Sequence, residues 1–123
     1  MARSANVLRA VFYFYASRVE VLVANATPAW MDDGDADAHG CYRDNPDAYG
    51  FEIWLNAKQG WQHIGLTFDH ECSHVERDIM SYRYDQDGEN GEALADLAVM
   101  SGMQRDMVRR EVEEWCRGRE GRK

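Results

Sequence analysis

The chain has little from which to build a covalent scaffold. Among its 123 residues only three are cysteines, Cys41, Cys72 and Cys116. They are odd in number, far apart, and form no C-x-x-C pair, which argues against a disulfide framework or a thiolate zinc site. Reduced thiols, and hence a cytoplasmic protein, are the expectation. Long apolar runs are also lacking, since no stretch approaches the ~20 residues of a membrane-spanning helix. The apolar start, residues 1–16, is interrupted by Arg9 and closed by Arg18. No small-residue cleavage site follows it, so it does not read as a signal peptide. Positive charge is in deficit, with 14 Lys and Arg against 22 Asp and Glu and a net charge of −8. Such a chain is poorly suited to nucleic-acid phosphate or an anionic membrane as its main partner. Internal repeats and interdomain linkers are missing too, which leaves residues 1–123 as a single domain.

What is present points to a packed α+β fold. The hydrophobic fraction of 45%, with four Trp and six Tyr, suits a globular core rather than disorder. Val7, Leu8, Val11, Phe12 and Tyr15 fit a helical stripe, predicting an N-terminal helix over 4–17, although the run from Val11 to Tyr15 also suits a strand. Residues 19–23 alternate and are β-branched, predicting a strand that Thr27-Pro28 ends. Asp32, Asp33, Asp35, Asp37, Asp44 and Asp47 crowd one stretch. Its D-x-D-x-D spacing is that of a calcium loop, but Ala38 and Asp44 replace the needed glycine and glutamate, so a solvated loop is expected. A short strand at 39–43 and a turn at Asn45-Pro46-Asp47 follow. Phe51, Glu52, Ile53, Trp54, Leu55 and Asn56 form the clearest strand, completing a short three-stranded sheet.

From Trp61 the period becomes helical, with Ile64, Phe68, Cys72, Val75 and Ile79 in one stripe to about residue 81. A glycine-containing loop leads to a second helix over 92–103. Gly102 is expected to divide it from a C-terminal helix that buries Met107, Val108, Val112 and Trp115, ahead of a mobile basic tail, 117–123.

The motif helix carries His70-Glu71-Cys72-Ser73-His74, an H-E-x-x-H. Residues four apart on a helix lie one turn above each other, about 40° apart around the axis. Both imidazoles can therefore reach one tetrahedral Zn²⁺, while Glu71 lies beside that face, able to polarise water. Cys72 shares the apolar stripe, which makes it a core group rather than a nucleophile. His63, seven residues before His70, suits a cleft-lining role, and His39 a polar loop or strand position. A catalytic zinc needs a third protein ligand. Glu92, opening the next helical segment, ranks first; Glu89 is the reserve. Asp96, one turn further on, is placed to accept the spare N–H of a ligating imidazole.

With Glu92-Ala93-Leu94-Ala95-Asp96 following the H-E-x-x-H, the chain resembles the gluzincin zinc metallopeptidases, and the single-domain minigluzincins most of all. The resemblance covers roughly residues 19–103. It implies a zincin-like domain: sheet, H-E-x-x-H helix, then glutamate helix. It also implies one Zn²⁺ per chain held by His70, His74 and Glu92, with Glu71 as general base and Asp96 as orienting partner. A peptide or protein substrate would pair with the strand from Phe51 to Asn56 as a sheet edge. Hydrolysis would use a metal-activated water, which makes the missing Ser-His-Asp set no obstacle. The segment Glu76-Arg77-Asp78 is more charged than in that family, and no motif supplies the oxyanion-steadying His or Tyr, for which Tyr82, Tyr84 and His63 are the suggestions. Two other readings stand beside this one. A catalytically silent zincin-fold binding or regulatory protein would need no deep cleft. A deformylase-like hydrolase would take Cys41 of His39-Gly40-Cys41 as third ligand, but lacks that family's glycine-rich N-terminal motif.

Overall fold

The computed structural model describes residues 2–3, 6–31, 37–45, 50–83 and 91–120. The stretches 32–36 and 84–90, which hold most of the acidic loop and Glu89, and the turn at Pro46 lie outside the described residues. Among the described residues five strands, where three were expected, β1 (Ala2–Arg3), β2 (Val7–Phe14), β3 (Ser17–Ala24), β4 (Gly40–Asn45) and β5 (Gly50–Asn56), precede two helices, α1 (Trp61–Arg83) and α2 (Gly91–Glu120). The strands make one sheet in the order β1-β2-β3-β5-β4. All neighbours are antiparallel except β3 and β5, whose register pairs Val21 with Ile53. No helix of the described residues is long and apolar enough to cross a membrane.

The expected N-terminal helix is a strand. Leu8, Ala10, Phe12 and Phe14 are buried while Arg9, Val11 and Tyr13 are exposed, a strict period of two. The helical stripe drawn through Val11 and Tyr15 mixed the two sheet faces. A two-residue turn joins β2 to β3, with positive φ at both Tyr15 (51°) and Ala16 (65°). Such turns match the twist of the flanking strands and normally recruit Gly or Asn. Here contacts hold the left-handed backbone. The Tyr15 N–H donates to Ser101 Oγ at 2.7 Å, and its hydroxyl donates to Glu76 Oε2 at 3.0 Å. Burial and the Glu76 carboxylate push that hydroxyl's pKa up to about 12.

One core joins the sheet to both helices. The whole α1 stripe, Ile64, Phe68, Cys72, Val75 and Ile79, is buried as its spacing predicts. It packs with Val19, Val21, Phe51 and Leu55 of the sheet, and Phe12 meets the edge of Phe68 at 6.0 Å. The two helices expected after the motif helix are one. Glycine in a helix costs only about 1 kcal/mol, whereas burial of Ser101, Val108, Val112 and Trp115 runs across Gly102 on a single face. Nor do the basic residues up to Glu120 form a mobile tail. Arg117 and Arg119 lie in the last turn of α2, over the rings of Trp61 at 4.1 Å and Trp115 at 4.6 Å. There they also oppose the negative end of the helix dipole. In return, Glu120 Oε1 accepts the first N–H of α1, from Trp61, at 3.2 Å.

The three thiols check this packing. Cys72 and Cys116 are buried and Cys41 is only partly so, and none is in a disulfide. Burial pushes the Cys116 pKa up to about 11 and that of Cys72 higher still. Since thiolate is the reactive form, iodoacetamide on the native protein should modify Cys41 first. The other two should react only in denaturant, as read by mass spectrometry. Equal labelling of all three in the native state would contradict the fold.

Candidate metal centre

The site is built on the exposed shoulder of α1. The apolar stripe fixes that helix against the sheet, so residues 70 and 74 stand on its outer flank while residue 71 turns inward. His70 is exposed, His74 half-buried, and Glu71 only 5% exposed. The two Nε2 atoms face each other at 3.1 Å, with the rings nearly perpendicular at 83°. A carboxylate oxygen of Glu71 completes a group whose ligand atoms all lie within 4.8 Å of one another.

That geometry can be tested against a metal. Two nitrogens each about 2.05 Å from one ion at the tetrahedral angle stand about 3.3 Å apart. The observed 3.1 Å is close to that value. Without a cation the facing nitrogens share at most one proton between them, and two neutral Nδ1–H tautomers would set two lone pairs against each other. The donor pair is thus suited to a borderline-soft divalent ion. Burial pushes the Glu71 pKa up, while the two imidazoles pull it down by a smaller amount.

Strand β4 supplies a residue that sequence reasoning passed over. Tyr42 stacks flat on His74, with centroids 5.1 Å apart and planes within 4°. Burial, a hydrogen bond to the Asp78 carboxylate and the negative charge of Asp78 and Glu71 all raise the Tyr42 pKa. Tyr42 therefore spans two turns of α1, holding one face of the His74 imidazole. The approach depends on Gly40, where a Cβ would lie 2.8 Å from Thr67 Cγ2 and 3.2 Å from the Trp54 carbonyl oxygen. A larger residue there would lift β4 away from α1. No motif announces Tyr42, because its pairing with His74 exists only once β4 lies along the helix.

The other expectations divide. His63 turns away from the triad: its Nδ1 lies 2.7 Å from Gln59 Oε1 and its ring meets that of His39 at 4.5 Å. Glu92 lies in the first turn of α2, but its side chain falls outside the described residues, as do the side chain of Tyr82 and all of Tyr84 and Glu89. Asp96 is exposed on the next turn of α2. Strand alternation turns Cys41 to the sheet face opposite Tyr42. Cys41 is not in the metal-binding group among the described residues, which leaves the deformylase-like reading without its ligand.

One expectation is overturned. The strand from Phe51 to Asn56 is not a sheet edge, because β5 lies between β3 and β4 and pairs with both. Its side chains explain the position: six of the seven β5 residues are buried, a nearly continuous run typical of an interior strand. The edge beside α1 is β4, which pairs only with β5 among the described residues.

Comparison of the chain with protein-family models, curated proteins and solved structures found no match.

Proposed function

We propose that the chain is a zinc-dependent metallopeptidase of gluzincin type. The observation that carries this reading is the convergence of the His70 and His74 Nε2 atoms at 3.1 Å beside a buried carboxylate, at a spacing that fits one tetrahedral ion. His70 and His74 would hold the metal, with Glu92 as third protein ligand. Zinc, when bound, supplies Lewis acidity to water and to the carbonyl under attack. Glu71 is the proton carrier. Its carboxylate takes a proton from the attacking water and returns it to the departing amine nitrogen, so no covalent intermediate is needed. Water exclusion around a carboxyl 5% exposed favours that transfer, since few solvent molecules compete for the proton. Tyr42 keeps the His74 ring from rotating. An extended substrate would add as a strand to the outer edge of β4, its backbone running beside α1 and past the triad.

A second reading, a metal-holding protein that binds a partner without cleaving it, draws on the exposure of His70 and the openness of that shoulder. A library of unstructured peptides incubated with zinc-loaded protein separates the two. Cleavage that a chelator abolishes, and zinc restores, is the expected result. Intact peptides alongside stoichiometric bound zinc would hand the site to the binding reading.

A further inference from the structure

The outward face of α2 is apolar where a solvated helix should be polar. Val99, Met100, Met103 and Met107 are 65%, 56%, 65% and 63% exposed. Val99, Met103 and Met107 follow one another at four-residue spacing, drifting only about 40° around the helix at each step. They point away from the core, since Ser101, Val108 and Val112 on the other side of the same helix are buried. Together they expose on the order of 500 Å² of contiguous apolar surface, beyond what scattered exposure explains. Methionine suits such a surface, being flexible and able to repack against a partner. Charge flanks the stripe with opposite sign at its two ends. Asp96 is exposed seven residues before Met103, and Arg110 is exposed seven residues after it.

We infer that this stripe is a homodimer interface, in which α2 pairs antiparallel with α2 of a second copy about a two-fold axis at Met103. The ends select this occupant. Under that axis a residue before Met103 meets the one equally far after it. Asp96 of each copy then meets Arg110 of the other, Val99 meets Met107, Met103 meets itself, and Met100 falls opposite the exposed Asp106 at the margin of the contact. A parallel pairing would set Asp96 against Asp96 and Arg110 against Arg110. An isologous contact needs this self-complementarity. A groove of about 400 Å³ opens beside Met107, between α2 and β2, and is lined by Val11, Arg110 and Glu114. It gives the partner's Val99 room to seat. The net charge of −8 speaks against an anionic lipid surface as the alternative occupant, and between two copies it is a repulsion that the contact has to outweigh. The patch is smaller than the ~800 Å² per partner of a standard interface, so a reversible, concentration-dependent dimer is expected rather than an obligate one. The inference does not depend on the metal site.

Sedimentation equilibrium of the full chain tests it. Wild type should show a concentration-dependent monomer–dimer equilibrium, and Met103→Glu should raise the dissociation constant by at least about tenfold. Asp96→Arg alone and Arg110→Asp alone should each weaken the dimer, while the double exchange D96R/R110D restores it to within a few-fold of wild type. All these positions are exposed, so far-ultraviolet circular dichroism should not change; Met107→Glu serves as a second disruptor should Met103→Glu misfold. Wild type that stays monomeric throughout, a dimer indifferent to both glutamate variants, or a double exchange that fails to rescue would each overturn the inference.

Discussion

Glu71→Gln should lower peptide cleavage by about 10²–10⁴-fold while leaving the bound zinc in place. The amide matches the carboxylate in size, so the packing around a side chain 5% exposed is preserved. What it loses is the lone pair that takes a proton from water. Burial already disfavours the charged form of Glu71. The neutral variant should therefore be no less stable than wild type and melt at an equal or higher temperature. Reduced kcat, retained zinc and an undiminished Tm is a combination that general misfolding does not produce. A glutamine variant as active as wild type would remove Glu71 from the chemistry.

His74→Ala should have the largest effect on the metal. It deletes one of two nitrogens converging at 3.1 Å and uncovers the stacked face of Tyr42. Loss of a supporting partner behind a ligand typically costs 10–100-fold in affinity, and loss of the ligand itself should exceed about 100-fold. The fold should survive, because His74 sits on the flank of α1 while Cys72 and Val75 carry the core contacts. His63→Ala is the matched control. It removes an imidazole from the same helix whose Nδ1 is engaged with Gln59 instead, and zinc affinity should be unchanged. Isothermal titration of zinc into the three proteins reads both outcomes. Equal losses at His63 and His74 would mean that zinc is sampling surface imidazoles rather than a built site.

The sequence was most legible where a single periodicity ruled. The α1 stripe was readable because a helix face on a sheet repeats one period along its length; β5 was found from the alternation of Phe51, Ile53 and Leu55, although Trp54 and Asn56 on its other face are buried as well. The N-terminal strand was misread because Val11, Phe12, Tyr13, Phe14 and Tyr15 are apolar on both sheet faces, which blurs the period of two. Its turn carried no warning, since the partners that hold Tyr15 beside Ala16 at positive φ, Ser101 and Glu76, are distant in sequence. The continuity of α2 through Gly102 likewise depends on packing that no local propensity encodes. At the site, the three residues within one helical turn were legible from spacing alone. Tyr42 was not, because its place depends on which strand ends the sheet beside α1. The interior position of β5 has the same cause: strand order is a property of the whole sheet.

The account rests on His70, His74 and a carboxylate from the start of α2 gathering around one ion. The most direct test is the zinc content of purified wild type and Glu92→Ala, each loaded with zinc, dialysed and measured by mass spectrometry of the elements. The account predicts about one zinc per chain in wild type, and its loss in Glu92→Ala. Wild type that retains no zinc, or Glu92→Ala that keeps the full complement, would contradict it.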